Sequence, residues 1–303
     1  MSSPILLFQQ IVCVDKTGLT PLGLAELQGF SRAKIICYAD SPADDAEIIA
    51  RIDGADCVLV SWGTQIGADV LRASPQLTYV GMCCSLYDER SANVDISAAK
   101  ELGITVRGIR DYGDEGLVEF IFAELIYLFK GLGRLQWRSE PEELNGKKLG
   151  IIGFGKSGQL VARTAQHFGM EVCYYSRTRK PELESGTLEY AELDTLLSWA
   201  EVISIHVPKH THVLDATAFS GIQPGAVLIN TSLGPTFEIG DLLRWIEQGR
   251  NFAILDGDGV GPYRNECLKY PNIIVSESVG GWTRQARERL TRKVLDNIRT
   301  YLT

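Results

Sequence analysis

Short apolar segments rich in β-branched residues alternate with segments of helical periodicity along the first part of the chain. The predicted strands are Ile5–Phe8, Lys34–Cys37, Cys57–Val60 and Leu77–Gly81, and the predicted helices between them are Asp44–Ile52 and Ala68–Ala73. A further helix is predicted after Asn93, where Gly103 stops it before a strand that ends at Val106. Strands that alternate with helices form a parallel sheet covered on both faces.

The middle of the chain predicts one long helix and then a second α/β series. Glu115–Arg138 is apolar-periodic and free of proline, so we expect a single helix that links two lobes. A polar turn, Ser139–Gly146, ends it. The second series runs from Lys148 to near Ile274. The tail Thr283–Leu302 is predicted to be a helix charged on one face, and it must pack on structure already built because it has no sheet of its own.

Length, composition and charge indicate an ordinary globular protein. A chain of 303 residues with 45% apolar and 22% charged residues has the composition of an ordinary globular protein, and its length indicates two domains. The net charge of −8 argues against binding to nucleic acid or to an anionic membrane. We find no apolar run of about 18 residues that would span a membrane. The segment Met1–Phe8 lacks the basic start and the long apolar run of a signal peptide.

The seven cysteines are scattered and odd in number, with no Cys-x-x-Cys pair. This pattern predicts reduced thiols in a cytoplasmic protein, with neither disulfides nor a bound metal. The adjacent residues Cys83 and Cys84 are either a redox-sensitive pair or, as we favour, two small residues in a loop after a strand.

A strand that runs into a glycine-rich turn and then into a helix predicts a dinucleotide site. The turn consists of Gly153, Phe154, Gly155, Lys156, Ser157 and Gly158. It follows the strand Lys148–Ile152 and precedes the helix Gln159–Phe168, as a Gly-x-Gly-x-x-Gly motif requires. Gly153 permits the tight turn, Gly155 lets the backbone approach the pyrophosphate, and Gly158 lets helix and strand pack closely. The phosphates then meet free amides at the positive end of the helix.

The end of the next strand, Val172–Tyr175, predicts NADPH rather than NADH. An NAD site places a carboxylate about 20 residues past the motif, where it holds the ribose 2′-hydroxyl. No acidic residue lies between Glu171 and Glu182, and the residues that follow the strand are Ser176, Arg177, Thr178, Arg179 and Lys180. A guanidinium group can fork onto a 2′-phosphate and stack on the adenine. We therefore expect NADPH/NADP as the cofactor.

Together with this motif, segments over nearly the whole chain resemble the D-isomer-specific 2-hydroxyacid dehydrogenases. The matching segments are Val94–Lys100, Leu117–Glu119, Ile205–Pro208, Gly225–Ser232, Leu255–Asp256, Pro271–Ile274 and Gly281–Thr283. The resemblance implies an α/β fold of two Rossmann-like or flavodoxin-like lobes with parallel sheets. It places an NADP-binding domain at 111–283, inserted in a substrate domain made of 1–110 and 284–303. It also implies a homodimer formed through the cofactor domains.

The motif and the resemblance together define an expected cofactor site. The residues predicted to bind NADPH are Gly153, Phe154, Gly155, Lys156, Ser157, Gly158, Ser176, Arg177, Thr178, Arg179, His206, Val207, Pro208, Thr231, Ser232, Leu233, Asp256, Ser278 and Gly280.

The family's chemistry uses three side chains that the resemblance does not find here. An arginine clamps the substrate carboxylate, a histidine gives or takes the hydroxyl proton, and a glutamate keeps the pKa of that histidine raised. The resemblance places the arginine at Leu233, the glutamate at Gly261 and the histidine at Ser278. Losing a positioned acid–base group costs about 10²–10⁴ in rate. Ordinary 2-keto acid reduction is therefore expected to be very slow.

Two loops offer substitute proton donors. Gly81–Asn93 occupies the place of a shorter glycine-rich loop in the family, and Asp256–Tyr263 replaces the catalytic acidic turn. We take Asp258 and Tyr87 as candidate catalytic residues, while the carboxylates of Asp256 and Asp258 are equally well explained as a turn without chemistry.

Three functions remain open for the small-molecule substrate that the resemblance implies. The first is an NADPH-dependent oxidoreductase that acts on a C=N bond, an activated C=C bond or a neutral carbonyl. The second is a catalytically silent NADP-binding sensor or scaffold. The third is a 2-keto acid reductase of the glyoxylate or hydroxypyruvate type with substitute residues.

Overall fold

The computed structural model describes residues 6–209 and 211–303. The chain divides into two compact units, one made of Met1–Tyr112 with Arg284–Thr303 and the other of Gly113–Thr283. Each unit is built on its own parallel sheet. The predicted α/β fold class is therefore confirmed.

Strands and helices alternate in the first unit. In chain order, its elements before the crossover to the second unit are β1 Ile11–Cys13, α1 Pro21–Leu27, β2 Ile36–Cys37, α2 Asp45–Ile52, β3 Cys57–Val60, α3 Ala68–Arg72, β4 Tyr79–Ser85, α4 Ile96–Glu101 and β5 Thr105–Ile109. The sheet order is β2-β1-β3-β4-β5, and every pairing is parallel. This is the flavodoxin-like order of a doubly wound sheet.

The second unit also alternates, and the chain then returns to the first unit through one last helix. In chain order the remaining elements are α5 Asp114–Lys130, β6 Lys148–Ile152, α6 Lys156–His167, β7 Glu171–Tyr175, β8 Leu188–Tyr190, α7 Leu193–Trp199, β9 Val202–Ile205, α8 Ala216–Gly221, β10 Val227–Asn230, α9 Ile239–Glu247, β11 Phe252–Leu255, α10 Arg264–Cys267, β12 Ile273–Val275 and α11 Arg284–Leu302. The second sheet has the order β12-β11-β10-β9-β6-β7-β8.

That order is the Rossmann arrangement, in which the chain proceeds outward from β6 in one direction and then resumes at β9 in the other. Helices α5 and α6 cover one face of the sheet through residues such as Leu125 and Val161. Helices α7, α8 and α9 cover the other face through residues such as Leu196 and Phe219. Because both faces are buried, the strands are apolar throughout rather than alternating.

Helix α11 buries an apolar face on the first sheet. Leu290, Val294 and Ile298 recur at helical spacing and join the same core as Tyr79 of β4. The ring of Tyr301 lies 4.8 Å from the ring of Tyr79, centroid to centroid. The tail therefore packs on structure formed by the start of the chain, as its amphipathic pattern predicts.

The strand predicted at Ile5–Phe8 is wrong for the residues that the structure describes, and Ile5 itself lies outside them. Phe8 forms an isolated bridge with Ser31, and the first strand is β1, whose three residues are all buried. Between the two, the backbone amides of Gln9 and Gln10 donate to the carboxylate of Asp56 at 2.8 and 2.9 Å. The Asp56 side chain thus holds the short segment between Phe8 and β1.

The predicted helix Glu115–Arg138 is too long at its carboxyl end. The observed α5 ends at Lys130, and Gly131 follows in the left-handed conformation, with φ of 62°. A glycine there closes a helix at low cost because it carries no Cβ. The chain then turns back, so that the Trp137 ring stacks on Phe129 at 4.2 Å and its indole donates to the Gly225 carbonyl at 2.8 Å. The chain turns here so that the Trp137 ring is buried. Apolar periodicity alone cannot distinguish such a turn from a continued helix.

Cys83 and Cys84 lie inside β4, and the prediction of a loop at this point is wrong. Both side chains are buried, on opposite faces of the sheet. Within residues 6–209 and 211–303, no helix combines the length and the apolar character that crossing a membrane requires.

Replacing Trp137 tests the importance of this returning segment. We expect Trp137→Ala to lower the free energy of unfolding of the second unit by about 3–5 kcal/mol, because the ring is 4% exposed and its indole hydrogen bond is lost as well. Trp282→Ala is the matched control, since that ring is 44% exposed and its loss should cost no more than about 0.5 kcal/mol. Urea unfolding followed by circular dichroism measures both, and equal losses would contradict the proposed packing.

Candidate functional site

The residues singled out by the sequence follow strands whose carboxyl ends meet at one edge of the second sheet. Gly153 follows β6, Ser176 follows β7, His206 follows β9, Thr231 follows β10 and Asp256 follows β11. These five strands are neighbours and parallel. Strands β6 and β9 form the switch point of the sheet, and a parallel α/β sheet binds ligands in the crevice outside the carboxyl ends at that point.

Each glycine of the turn meets a different constraint. Gly153 has φ of 94°, and a Cβ there would lie 2.1 Å from the His206 carbonyl oxygen. A Cβ on Gly158 would lie 2.3 Å from the carbonyl oxygen of Gly153. A Cβ on Gly155 would meet no protein atom within 4 Å. Two of the glycines are therefore required by the protein's own packing, whereas Gly155 borders open space.

Helix α6 begins at Lys156 without any side-chain cap on its first amides. Four amides at the start of a helix have no partner within the helix, and the helix dipole makes this end positive. The Ser157 hydroxyl donates a hydrogen bond to the carboxylate of Asp114, the buried first residue of α5. Asp114 was not predicted as a site residue. Its hydrogen bond shows that the Ser157 side chain serves the contact between α5 and α6.

Phe154 and Lys180 join the glycine turn to the end of β7. The Phe154 ring is 3% exposed and stacks on Tyr174 at 3.9 Å. The Lys180 ammonium donates to the Phe154 carbonyl at 2.8 Å, and the Lys180 amide donates to the Tyr174 hydroxyl at 2.7 Å. Phe154 is thus a core residue, and the turn beside it carries a fixed positive charge.

The cations after β7 have different surroundings. Arg179 donates to both carboxylate oxygens of Glu184, at 2.8 and 2.7 Å, and this pairing raises the pKa of Arg179 and lowers the pKa of Glu184. Ser176 and Thr178 form a local turn, in which the Ser176 hydroxyl donates to the Thr178 carbonyl at 2.8 Å. The Arg177 side chain is exposed, and in the described part of the chain it has neither a hydrogen bond nor an ion pair. Arg177 is therefore the guanidinium at this edge that is free to bind an anion.

His206 and Ser232 hold the ends of β9 and β10 together. The Ser204 hydroxyl and the His206 Nε2 atom are 2.9 Å apart, and burial lowers the pKa of His206 to about 4. The Ser232 hydroxyl accepts from the Val207 amide at 3.2 Å and donates to the Ile205 carbonyl at 3.2 Å. His206 is therefore neutral at physiological pH, and its imidazole is a poor candidate for a proton carrier.

Asn230 and Asp256 are fully buried and fix the loops after their strands. The Asn230 amide donates to the carbonyls of Gly234 and Gly259, at 3.2 and 2.9 Å. The Asp256 carboxylate accepts from the amides of Gly259 and Gly280, at 2.7 and 2.8 Å. Burial raises the pKa of Asp256 against the opposing effect of these backbone donors. Both oxygens of Asp256 are thus engaged in holding the backbone.

Asp258, in the loop after β11, is a carboxyl group whose pKa is raised towards neutral pH. Its side chain is partly buried, and burial together with the negative charge of Asp256 raises the pKa of Asp258 to about 6, while Lys209 acts in the opposite direction. Its carbonyl oxygen accepts from the Gly234 amide at 3.0 Å, which places Asp258 beside the turn that contains Leu233. A carboxyl group with such a pKa can exchange protons at physiological pH.

The three positions that the resemblance assigns to catalysis have well-defined surroundings. Leu233 is partly buried in the turn after β10. Gly261 has φ of 57°, and a Cβ there would lie 2.8 Å from the Pro235 Cδ atom, so the backbone at this point disfavours any side chain. Ser278 is exposed, its amide donates to the Ser276 hydroxyl at 3.0 Å, and its carbonyl accepts from Gly257. The structure at these three positions therefore accommodates Leu233, Gly261 and Ser278.

Tyr87 belongs to the first unit, and Asp258 belongs to the second. The Tyr87 side chain is 44% exposed, and the guanidinium of Arg110 lies 5.2 Å from the centre of its ring. Tyr87 and Arg110 line a cavity of about 590 Å³ within the first unit. The preceding segment 81–85 is part of β4, so the predicted loop is shorter than expected and starts at Leu86. Asp88 caps its 3-10 turn by accepting from the Ser91 amide at 2.9 Å.

Two other histidines, His167 and His212, lie in the described part of the chain. His167 lies in the last turn of α6, with its Nδ1 atom 2.7 Å from the Arg163 carbonyl. His212 lies 3.4 Å from Glu238, and both are exposed. His210 is outside the described residues. In the part of the chain that is described, no three His, Cys, Asp or Glu residues come together as metal ligands would.

Comparison with known proteins agrees with this geometry. The family model for the NAD-binding domain of the D-isomer-specific 2-hydroxyacid dehydrogenases matches residues 129–280. A hydroxypyruvate reductase from Blautia hydrogenotrophica is 30% identical over 290 residues, which cover 88% of each chain. A glyoxylate reductase from Thermococcus litoralis is 30% identical over 274 residues, which cover 83% of this chain and 82% of the relative.

Among solved structures, an acyclic imino acid reductase in complex with NADPH and D-Arg has the same fold, with a TM-score of 0.82, 24% identity and coverage of 97% of both chains. The match to the cofactor-domain model and the two curated relatives extend the likeness from the fold to the sequence. The chain therefore belongs to the D-isomer-specific 2-hydroxyacid dehydrogenase family of oxidoreductases.

Proposed function

We propose that this protein is an NADPH-dependent reductase whose substrate carries a C=N bond, an activated C=C bond or a neutral carbonyl. The observation that carries the proposal is the contrast within one sheet edge, where a complete dinucleotide turn with a free Arg177 lies beside a turn that has Leu233 in place of a carboxylate-binding arginine. In this proposal the unit Gly113–Thr283 holds the cofactor.

The glycine turn fits the diphosphate of a dinucleotide. The open space at Gly155 lets phosphate oxygens approach the backbone, and the uncapped amides of α6 can donate to them. Lys180, fixed on the Phe154 carbonyl, adds a positive charge next to the turn. When bound, the nicotinamide supplies the hydride of the reaction.

Arg177 supports the choice of NADPH. A 2′-phosphate on the adenosine ribose would lie at the end of β7, where an NAD site has a carboxylate instead. The side chain of Arg177 is exposed there, and the nearby carboxylate of Glu184 is neutralised by Arg179. The local field is therefore positive, and it would attract a phosphate group.

Asp258 is the proton donor in this proposal. It lies at the carboxyl end of β11, in contact with the turn that contains Leu233, and its raised pKa keeps a fraction of the carboxyl groups protonated near neutral pH. Leu233 gives that turn an apolar side chain, which favours a neutral reacting group over a simple 2-keto acid. An imino acid reductase shares this fold at 24% identity. We therefore include C=N reduction among the reactions to test.

The names of the curated relatives favour a second candidate, a glyoxylate or hydroxypyruvate reductase with substitute residues. Single-turnover oxidation of NADPH by glyoxylate, hydroxypyruvate, cyclic and acyclic imines, and enones distinguishes the two. We expect oxidation with an imine, an enone or a neutral carbonyl. Rates with the keto acids that match ordinary enzymes would contradict the proposal, and failure with every compound would favour a silent NADP-binding protein.

The role of Gly155 can be tested without disturbing the protein's own packing. We expect Gly155→Ala to weaken NADPH binding at least about tenfold, or about 1.4 kcal/mol, because the added methyl group occupies the path of the diphosphate. Since that methyl group meets no protein atom within 4 Å, the melting temperature should stay unchanged. Gly186→Ala, at another open position, serves as the control in fluorescence titrations. Unaltered affinity in Gly155→Ala would argue against binding at this turn.

Arg177→Ala tests whether Arg177 binds the 2′-phosphate of NADPH. Removing one charge-assisted interaction should cost about 1.5–3 kcal/mol of NADPH binding and leave NADH binding nearly unchanged. Arg163→Ala, on the exposed side of α6, controls for the general loss of positive charge. Titration of all three proteins with both cofactors gives the ratio of affinities, and an equal loss for NADPH and NADH would refute the assignment.

The pH dependence of the reaction tests Asp258. A general acid must be protonated to act, so the rate of reduction should fall as the pH rises through about 6, the value to which burial and Asp256 raise the pKa of Asp258. Asp258→Asn should remove this limb of the profile and lower kcat by about 10²-fold or more at pH 6. Asp241→Asn, which alters an ion pair with Arg244 on α9, should keep the wild-type profile. A profile that is the same in Asp258→Asn as in the wild type would exclude this donor.

A further inference from the structure

Two cysteines on neighbouring strands of the first unit lie outside every site described above. Strands β1 and β2 pair in parallel, with Cys13 directly opposite Cys37 in the register. Cys13 is 1% exposed, whereas Cys37 is exposed on β2, which forms one edge of the sheet. Small molecules can therefore reach Cys37 from solvent.

The pairing geometry suits a disulfide bond. Adjacent strands lie about 4.8 Å apart, and residues directly opposite each other point to the same face of the sheet. The Cα atoms of a disulfide are usually about 4.4–6.8 Å apart, so this spacing lies within the required range. Because Cys13 and Cys37 are direct partners in the register, their side chains leave neighbouring strands on the same face of the sheet.

The two thiols differ in acidity. Hydrogen bonding with Cys13 lowers the pKa of Cys37 to about 7. The same interaction, together with burial, raises the pKa of Cys13. Since the thiolate is the nucleophile, Cys37 is the reactive sulfur at neutral pH, and Cys13 is a protonated thiol held next to it.

The adjacent pair Cys83 and Cys84 lacks these features. Both are buried within β4, and burial raises the pKa of Cys83 well above its ordinary value. The Cys84 sulfur lies 3.3 Å from the side-chain oxygen of Asn93. Reactivity towards disulfides is therefore expected at the pair formed across β1 and β2, not at the pair adjacent in sequence.

We propose that Cys37 and Cys13 form a thiol–disulfide exchange site for small disulfides such as oxidised glutathione. The Cys37 thiolate attacks one sulfur of the glutathione disulfide, which breaks its S–S bond and releases one glutathione thiolate. Cys13 then loses its proton to solvent and attacks the Cys37 sulfur, which releases the second glutathione. Two protein thiols are oxidised to one disulfide, and the small disulfide is reduced to two thiols. An exposed disulfide of this kind is open to reduction by the reverse reaction.

Reaction of the native, full-length protein with oxidised glutathione at neutral pH tests the proposal. After acid quenching, alkylation of free thiols and digestion without reductant, mass spectrometry should find the Cys13 and Cys37 peptides joined by a disulfide. Cys13→Ala should accumulate a stable glutathione adduct on Cys37, because the resolving thiol is missing, and Cys13→Ser provides a second variant closer in size. Cys84→Ala is the matched control and should form the same disulfide as the wild type.

Three results would overturn the inference: a stable adduct on Cys37 in the wild type, oxidation at Cys83 or Cys84 instead, or no reaction of the native protein. The pH dependence of Cys37 alkylation by iodoacetamide provides an independent measurement. Its midpoint should lie near pH 7 in the wild type and shift towards about 8.5 in Cys13→Ala, where the hydrogen-bond donor is absent. A midpoint that does not move would show that Cys13 does not activate Cys37.

Discussion

The contact between Gly153 and the end of β9 constrains the whole carboxyl edge of the second sheet. The Gly153 amide donates to the Tyr175 carbonyl at 2.8 Å, and its α-carbon faces the His206 carbonyl so closely that a methyl group would lie 2.1 Å from that oxygen. One residue without a side chain thus ties β6 to both of its neighbours, β7 and β9. The turn after it points the start of α6 at the switch point, where the two halves of the sheet diverge and a dinucleotide can bind.

Most polar side chains at this edge hold the backbone in place. Asn230, Ser232 and Asp256 each join their own segment to a neighbouring one through hydrogen bonds, and Asn230 and Asp256 are fully buried. A buried polar group costs several kcal/mol unless it is paired, so these bonds fix the loops in a single arrangement. Asp258 differs because it is only partly buried and lies next to the charge of Asp256. Burial, and then the charge of the Asp256 carboxylate that holds the loops, therefore raise the pKa of Asp258.

Charge pairing distinguishes the two arginines after β7. Arg179 is bound by Glu184 and stacks 5.5 Å from the centre of the Tyr190 ring, whereas the side chain of Arg177 is exposed. The sequence contains both cations within three positions, but a carboxylate five residues beyond Arg179 reaches back to it. In the first unit, strand pairing likewise brings together side chains that are separated in the sequence. The register of β1 and β2 places Cys13 opposite Cys37.

The sequence by itself determined the α/β class, the family, and the glycine turn with its flanking strand and helix. These features depend on local spacing and on apolar runs, which can be recognised along the chain. It placed β3 correctly but misplaced the first strand and extended α5 past Gly131, because apolar residues near a turn look alike until burial against other segments selects among them. Only the tertiary structure decided which arginine is free, which aspartate has a pKa near 6, and which cysteines face each other. Those properties arise from contacts between segments distant in sequence, and electrostatic and hydrogen-bond energies depend on the distances that folding sets.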